Sequence, residues 1–213
     1  MKNIADIRQE YTKSGLRESE LPCDPLSLFS RWLQEAIDAN VEEPTAIIVG
    51  TVSPEGRPST RTVLLKGLHD GKFIFYTNYE SRKGRQLAQN PYISLSFVWH
   101  ELERQVHIEG TAAKVSPEES DEYFRKHPYK SRIGARISPQ SQPIASRMQL
   151  IRAFVKEAAR WLGKEVERPD NWGGYAVTPT RMEFWQGRPN RLHDRFLYTL
   201  KTDGKWEINR LSP

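Results

Sequence analysis

The feature that most constrains the fold is a succession of short β-type segments, each closed by a turn or a short helix. Between residues 45 and 115 the apolar or alternating runs are TAIIVGTV, PSTRTVLLK, KFIFYTN, YISLSFVWH and ERQVHIEGTAAKV. SPEGRP and HDGK separate the first three runs, and Gly, Pro and Asp at such positions favour tight turns. Short strands at this spacing predict a β-meander that forms a small barrel or sandwich.

Helical segments flank these strands. Asp24 followed by Pro25 is an N-cap signal that opens an amphipathic helix with apolar residues at helical spacing. The basic segment SRKGRQLAQN predicts a second helix, which stops at Asn90-Pro91. Ser116 opens a capping box, and a longer helix is expected over residues 145–162.

Strand patterns return towards the C-terminus in YAVTP, RMEFWQG, RFLYTL and KWEINRL, and Asp203-Gly204 is a hairpin signal between the last two. We therefore expect an α+β fold with a mainly antiparallel β-barrel and flanking helices. Residues 1–23 are expected to form an N-terminal arm, and residues 24–213 a single domain.

Composition and charge exclude several classes of protein. The chain has 213 residues, with 32 basic and 27 acidic side chains, and its basic residues are scattered, which disfavours a dedicated nucleic-acid binder. No apolar run approaches the roughly 20 residues of a membrane span, and we expect no signal peptide. Cys23 is the only cysteine, so an intrachain disulfide is impossible and a cytoplasmic location is expected.

Common catalytic motifs are absent from the sequence. It has neither of the usual glycine-rich phosphate loops, no HExxH metal motif and no GxSxG nucleophile motif, and we expect no metal site. Several basic residues stand at the ends of expected strands, a placement that suits small phosphorylated ligands. A mixed, solvated surface would account for the net charge equally well.

The strand STRTVLLK carries two cations, Arg61 and Lys66. Side chains alternate between the two faces of a strand, so Arg61 and Lys66 cannot both face one pocket on an ideal strand. Either a bulge or the strand end re-aims one of them, or they serve two adjoining sites. A third interpretation is that both cap a strand at the solvent edge.

A second basic motif follows the strand that ends at Asn78. Ser81 can cap a helix whose first turn carries Arg82 and Lys83. Cations there oppose the helix dipole, whereas the unpaired N–H groups of a helix N-terminus attract anions. A bound phosphate would resolve this conflict, although exposed basic residues also occur at helix starts without a function.

The third basic motif is EFWQGRPNRLHDRF. If residues 191–195 are extended, Arg191, His193 and Arg195 line one strand face and repel one another unless an anion or an electron-rich ligand lies among them. Trp185 offers an apolar plane suited to covering a planar ring. The alternative interpretation is a solvated edge strand.

Several segments together resemble a known family. RTVLLK, FYTNYESRKGRQLAQNP, WHELERQVHIEG, SPQSQPIASR, NWGGY, EFWQG and RLHDRFLY are similar to segments of the bacterial pyridoxine/pyridoxamine 5′-phosphate oxidases, and the match covers essentially the whole chain. The resemblance implies a split β-barrel that forms a homodimer, with FMN bound at the subunit interface. It also implies oxidation of pyridoxine or pyridoxamine 5′-phosphate to pyridoxal 5′-phosphate, with O2 as the acceptor and H2O2 released.

The family's functional positions carry over residue by residue. Those implied for FMN are Arg61, Val63, Leu64, Lys66, Tyr76, Thr77, Arg82, Lys83, Gln105, Gln140, Ser141, Trp185 and Arg195. Those implied for the substrate are Arg8, Tyr11, Lys66, Tyr123, Ser131, Arg191 and His193. Arg191, His193 and Arg195 are expected to act in catalysis, and Arg8 and Tyr11 to close as a lid. His127 stands where the family usually has arginine, and a histidine cannot form a bidentate guanidinium fork.

Three alternatives stay open. A related split-barrel FMN oxidase or reductase would keep the FMN residues but need not keep the substrate residues. A carrier or sensor of pyridoxal phosphate or FMN would bind the ligands without turnover. Nucleic-acid binding is the least favoured alternative, because the positive charge is scattered.

Overall fold

The computed structural model describes residues 3, 10–13 and 15–213. Nine strands form one sheet. They are β1 (Ala46–Val52), β2 (Pro58–Leu64), β3 (Gly67–His69), β4 (Lys72–Asn78), β5 (Tyr92–Trp99), β6 (Arg104–Lys114), β7 (Trp172–Gln186), β8 (Asp194–Leu200) and β9 (Trp206–Arg210). Five α-helices accompany the sheet: α1 (Pro25–Asp38), α2 (Arg82–Gln89), α3 (Pro117–Arg125), α4 (Tyr129–Ile137) and α5 (Arg147–Arg160).

The sheet is antiparallel throughout, with the strand order β2-β1-β5-β6-β7-β4-β3 and a branch in which β8 pairs with β7 and β9. It curls so that the two ends of this order meet, because the backbone N–H of Lys66, just after β2, donates to the carbonyl of Ile74 in β4 at 2.8 Å. The expected α+β fold with an antiparallel barrel is therefore confirmed.

The barrel core is aromatic and is closed by α1. Asp24 caps this helix by accepting from the N–H groups of Leu26 and Ser27, as its sequence predicts. Phe29 is fully buried, and its ring lies 4.9 Å from those of Phe73 and Phe97. One helix thus covers one opening of the barrel.

Strand β7 runs unbroken through residues for which the sequence predicts two strands. Pro179 in its middle cannot donate a ladder hydrogen bond, and such a residue is tolerated where pairing is irregular. The register with β6 shifts between Glu109 and Gly110, opposite Pro179. Gly110 is required there, because a Cβ on it would lie 2.1 Å from the carbonyl oxygen of Thr178.

Other details differ from expectation or were not anticipated. Helix α4 begins after Pro128 without any side-chain cap, so its sequence lacks the usual start signal. Among the described residues, no helix has the length and apolarity needed to cross a membrane. In the same part of the chain, no group of three or more His, Cys, Asp or Glu side chains is placed to hold a metal ion.

Candidate active site

A group of cations gathers where β2 meets the start of α2. The guanidinium of Arg61 donates to the hydroxyl oxygens of Thr51 at 2.6 Å and Ser59 at 2.8 Å. Nζ of Lys83 donates to Oγ1 of Thr77 at 2.9 Å and to Oε1 of Gln140 at 3.0 Å. All four acceptors are neutral oxygens. We call Arg61, Arg82, Lys83, Thr77 and Gln140 the cation cluster.

No carboxylate of the described residues forms an ion pair with Arg61, Arg82 or Lys83. Burial, followed by the neighbouring charge of Arg61, lowers the pKa of Lys83 to about 8. Burial, followed by the charge of Arg82, also lowers the pKa of Arg61. Uncompensated cations that lower one another's pKa constitute a site that an anion would stabilise.

The start of α2 adds further anion-binding potential to this cluster. Ser81 is fully buried, and its hydroxyl accepts from the N–H of Gly84 at 3.2 Å, so the helix begins where the sequence predicts. The N-terminal N–H groups and the dipole of α2 therefore lie beside Lys83 and Arg82. A phosphate at this position would satisfy both the cations and the helix end.

An aromatic stack extends from the same edge of the sheet. The rings of Tyr76 and Tyr123 are parallel within 16° with centroids 3.8 Å apart, and Trp172 stacks on Tyr76 at 5.5 Å. His127 meets the Tyr123 ring edge-on at 4.8 Å, and its Nδ1 lies 3.1 Å from the carbonyl oxygen of Tyr123. A carbonyl only accepts, so Nδ1 carries the proton and Nε2 is left free for another partner.

Sequence reasoning missed Trp172. The rings that it contacts come from β4, from α3 and from His127 just after α3, so only the NWGGY segment, at the start of a strand, could have pointed to it.

A second group of predicted residues surrounds Trp185 on β7. The Trp185 ring lies 4.6 Å from that of His193 and 5.4 Å from that of Tyr11, and Tyr11 also meets His193 at 5.4 Å. Gln105 and Arg195 are the cross-strand neighbours of Trp185 on either side. We call Tyr11, Gln105, Trp185, His193 and Arg195 the tryptophan cluster.

Arg195 differs electrostatically from the cations of the first group. Its Nε donates to Glu183 at 2.8 Å, and this hydrogen bond is the main reason that the pKa of Arg195 is raised. Its Nη1 donates to the carbonyl of Ser212 at 2.8 Å. Arg195 therefore keeps its charge and is held in one orientation beside Trp185.

The expectation that residues 191–195 form an extended strand is wrong at its start. Residues Pro189–Arg191 form a 3-10 turn, and β8 begins only at Asp194. Asn190 and Arg191 have φ values of 58° and 61°, a left-handed conformation that breaks strand alternation. Arg191 is exposed and does not share a strand face with His193 and Arg195.

The remaining predicted residues occupy varied positions. Arg61 and Val63 are partly buried in β2, while Lys66 is exposed and follows the end of that strand. Leu64 is partly buried at the end of β2. Ser131 and Ser141 are exposed, in α4 and in the segment between α4 and α5. Arg8 lies outside the described residues.

The cation and tryptophan clusters lie at opposite ends of β7. Tyr76, next to the first cluster, pairs with Gly174, whereas Gln105 in the second pairs with Trp185. Gly174 and Trp185 are eleven positions apart on one strand, about 36 Å along the strand at a rise of about 3.3 Å per residue. A single chain therefore places the predicted residues in two separate groups.

Comparison with known proteins identifies the family. A family model described as pyridoxamine 5′-phosphate oxidase matches residues 33–164, which is more than half of the chain. The chain belongs to the pyridoxamine 5′-phosphate oxidase family. A second model, described as the pyridoxine 5′-phosphate oxidase C-terminal dimerisation region, matches residues 172–213, which include the tryptophan cluster except Tyr11 and Gln105.

Curated members of the pyridoxamine 5′-phosphate oxidase family match along nearly the whole chain. A Bacteroides fragilis protein named pyridoxine/pyridoxamine 5′-phosphate oxidase is 77% identical over 211 residues, covering 99% of this chain and 90% of that protein. A Porphyromonas gingivalis protein with the same name is 57% identical and covers 99% of both chains.

Among solved structures, PhzG from Burkholderia lata, in complex with tetrahydrophenazine-1-carboxylic acid, has a TM-score of 0.88 and 30% sequence identity, with 94% of this chain and 99% of that chain covered. A pyridoxamine 5′-phosphate oxidase-related, FMN-binding protein from Nostoc punctiforme has a TM-score of 0.72 at 17% identity, covering 89% of this chain and 98% of that chain. The Nostoc structure supports the split-barrel fold alone.

Proposed function

We propose that this protein oxidises pyridoxine 5′-phosphate or pyridoxamine 5′-phosphate to pyridoxal 5′-phosphate, using FMN and passing the electrons to O2 with release of H2O2. With the amine substrate, water supplies the aldehyde oxygen and the nitrogen leaves as ammonia. The observation that carries the proposal is the pair of partly or fully buried cations, Arg61 and Lys83, whose acceptors are all neutral. Membership of the family and the names of its curated relatives support the choice of substrate.

The residues present fit FMN. A phosphate would neutralise the cation cluster, since hydrogen bonds between cations and phosphate oxygens are short and strong. Trp185 and Gln105 offer a ring face and an amide to a planar heterocycle. The full proposed set is Arg61, Val63, Leu64, Lys66, Tyr76, Thr77, Arg82, Lys83, Gln105, Gln140, Ser141, Trp185 and Arg195.

The site is proposed to be shared between two subunits. The two clusters lie at opposite ends of β7, and a two-fold partner would bring the tryptophan cluster of one chain to the cation cluster of the other, so that one flavin could contact both. The chain has apolar side chains suited to such an interface, and a dimerisation-region model matches its C-terminal part. The exposed apolar residues include Ile48, Tyr92, Met148, Ile151, Val155 and Leu162.

When bound, FMN supplies the two-electron acceptor, and the chain binds, orients and supplies charge. Arg195, held by Glu183, presents a fixed positive charge beside Trp185, where it would stabilise negative charge that develops on the ring system. Arg191 and His193 are proposed to orient the substrate. Lys66, Tyr123 and Ser131 are proposed to bind the substrate phosphate, and Arg8 and Tyr11 to cover the site.

The alternatives are less well supported. The similarity in fold to PhzG, at 30% sequence identity, is the argument for a phenazine-type oxidase. Sequence identity is much higher, at 77%, to a relative named pyridoxine/pyridoxamine 5′-phosphate oxidase. A non-catalytic carrier needs no fixed cation such as Arg195 beside the proposed ring site.

The single cysteine supports a cytoplasmic location.

The test is to purify the protein, record flavin absorbance, and follow aldehyde and peroxide formation from each phosphorylated vitamer. We expect yellow protein and equimolar aldehyde and peroxide, with much slower reaction of unphosphorylated pyridoxine because the phosphate contacts are lost. Bound flavin without turnover of either vitamer would establish a carrier instead.

A further inference from the structure

The turn that joins β5 to β6 ends at Glu103, a residue in the left-handed conformation with φ 55° and ψ 40°. Its backbone is fixed on both sides: the N–H donates to the carbonyl of His100 at 3.0 Å, and the carbonyl accepts from the N–H of Gly187 at 2.8 Å. Glycine and asparagine adopt this conformation more readily than glutamate does. The geometry of the turn therefore does not explain why a glutamate occupies this position, and the contacts of its side chain do.

That side chain contacts the N-terminal arm. Its two carboxylate oxygens each lie 3.0 Å from the N–H of Thr12, and Oε2 also accepts from the N–H of Lys13 at 3.0 Å. A few residues later, Oδ2 of Asp194 accepts from the N–H of Leu16 at 3.1 Å. Hydrogen bonds to an ionised acceptor are roughly twice as strong as neutral ones. Two carboxylates thus fasten the backbone of the arm.

The result is a defined position for Tyr11. Its ring meets those of Trp185 and His193 edge-on, and Tyr11, Glu103, Gln105 and Trp185 are among the residues that line a cavity of about 90 Å³. Gly187 is needed for this placement, because a Cβ on it would lie 2.6 Å from the Tyr11 ring. The backbone held by Glu103 thus directly follows Tyr11, whose ring packs on Trp185 and His193.

We propose that Glu103 is a positioning residue, which sets Tyr11 over the substrate by accepting hydrogen bonds from the backbone of Thr12 and Lys13. This inference rests on the proposed function, because it assumes that the substrate binds beside His193. Glu103 itself touches neither the substrate nor the flavin. Its loss acts through the arm and raises KM more than it changes kcat.

The main variant is Glu103→Asn, which suits the left-handed turn but has too short a side chain to reach the arm. We expect KM for the phosphorylated vitamer to rise on the order of ten-fold, since charge-assisted hydrogen bonds that hold the closed arm are lost. Glu103→Gln, which keeps one acceptor oxygen at full length, should restore part of the affinity. Glu101→Asn, at an exposed carboxylate of the same turn, is the matched control and should leave KM unchanged.

A second readout does not depend on catalysis. Trypsin cleavage after Lys13, followed by mass spectrometry, reports release of the arm, and Glu103→Asn should accelerate it several-fold while Glu101→Asn does not. Gly187→Ala, whose Cβ would lie 2.6 Å from the Tyr11 ring and 3.0 Å from Cβ of Glu103, should displace Tyr11 and raise KM in the same way.

The outcomes separate the inference from the function. Unchanged cleavage in Glu103→Asn, or faster cleavage with unchanged KM, would overturn the positioning role. If the wild-type protein turns over neither vitamer, the proposed function fails, and the cleavage rates still show whether Glu103 holds the arm.

Discussion

At the scale of single residues, the hydrogen-bond partners of a basic side chain distinguish two roles. A cation paired with a carboxylate is held in place structurally, whereas a cation with only neutral acceptors can bind an anionic ligand. Arg195 and Arg210 have carboxylate partners that raise the pKa of each, whereas Lys83 has only neutral acceptors and its pKa is lowered to about 8. A lysine in that state destabilises the ligand-free fold and favours anion binding. The loss of stability that Lys83 causes in the flavin-free protein and its contribution to FMN affinity can be measured separately.

Lys83→Met tests both effects, the first through the stability of the flavin-free protein. Below about pH 8, Lys83 is charged in the folded and unfolded states, so the penalty for burying its charge is fully present. Between that pH and the ordinary lysine pKa of 10.5 the folded state loses the proton first, and the penalty fades. We expect the flavin-free variant to melt at a higher temperature than wild type at pH 7 and to lose this advantage near pH 10.5.

The same variant should bind FMN about 10- to 100-fold more weakly, as expected for the loss of a charge-assisted hydrogen bond. Flavin fluorescence titration measures this affinity. Lys205→Met, at an exposed lysine in the β8–β9 hairpin, is the control and should match wild type in both experiments. A variant that melts below wild type at pH 7, or binds FMN normally, would contradict the role given to Lys83.

Arg191→Ala tests the proposed substrate contact. We expect turnover to fall on the order of 100-fold, the typical effect of removing a contact made in the transition state, while FMN stays bound. The control is Arg181→Ala. It removes an exposed arginine of β7 that pairs with Glu109 of β6, and it should retain normal turnover. Stopped-flow reduction of the bound flavin gives the rate directly, and an unaltered rate in Arg191→Ala would refute the role.

Sequence patterns located these residues unequally well. Arg61 lies within β2, whereas Lys66 lies beyond its end, so strand alternation alone could not say how the two side chains are placed relative to one another. The same logic failed at Arg191, since two consecutive left-handed residues cannot be read from polarity alone. The hydrogen bonds from Thr12 to Glu103 join residues 91 positions apart, and local sequence patterns carry no information about contacts at that separation.

At the scale of elements, turn and capping signals located most helices and strands. Asp24, Ser81 and Ser116 each accept from backbone N–H groups at the helix start that the sequence indicates. Helix α4 was missed because its N-cap position is a proline that offers no side-chain acceptor. The continuity of β7 was missed because Pro179 reads as a strand breaker unless the facing bulge is known.

Asp24→Ala tests the link between a cap and the barrel core. The variant loses hydrogen bonds to the N–H groups of Leu26 and Ser27, and we expect the free energy of unfolding to fall by about 1 kcal/mol. Asp24→Asn keeps a capping oxygen and should lie close to wild type. Urea unfolding measures both, and equal stabilities of the two variants would show that the cap does not stabilise α1.

At the scale of the whole molecule, the central claim is that each active site combines the cation cluster of one subunit with the tryptophan cluster of its partner. The sequence carries the residues of both clusters but not their separation, which depends on the register of β4 and β6 along β7. Because the two groups lie at opposite ends of one strand, we propose that a second copy of the chain completes the site.

Subunit mixing tests this claim most directly. Lys83→Met binds little FMN when the flavin is held at a concentration that only just saturates wild type, and Arg191→Ala turns over slowly, so each protein alone is nearly inactive under that condition. The two are unfolded together, refolded as a mixture and assayed at that FMN concentration with saturating substrate. If the site is shared, half of the dimers are mixed and each has one intact site, so activity should recover to about a quarter of wild type. If each site were built from one chain, every site in the mixture would carry a defect, and activity no higher than that of the separate variants would contradict the account.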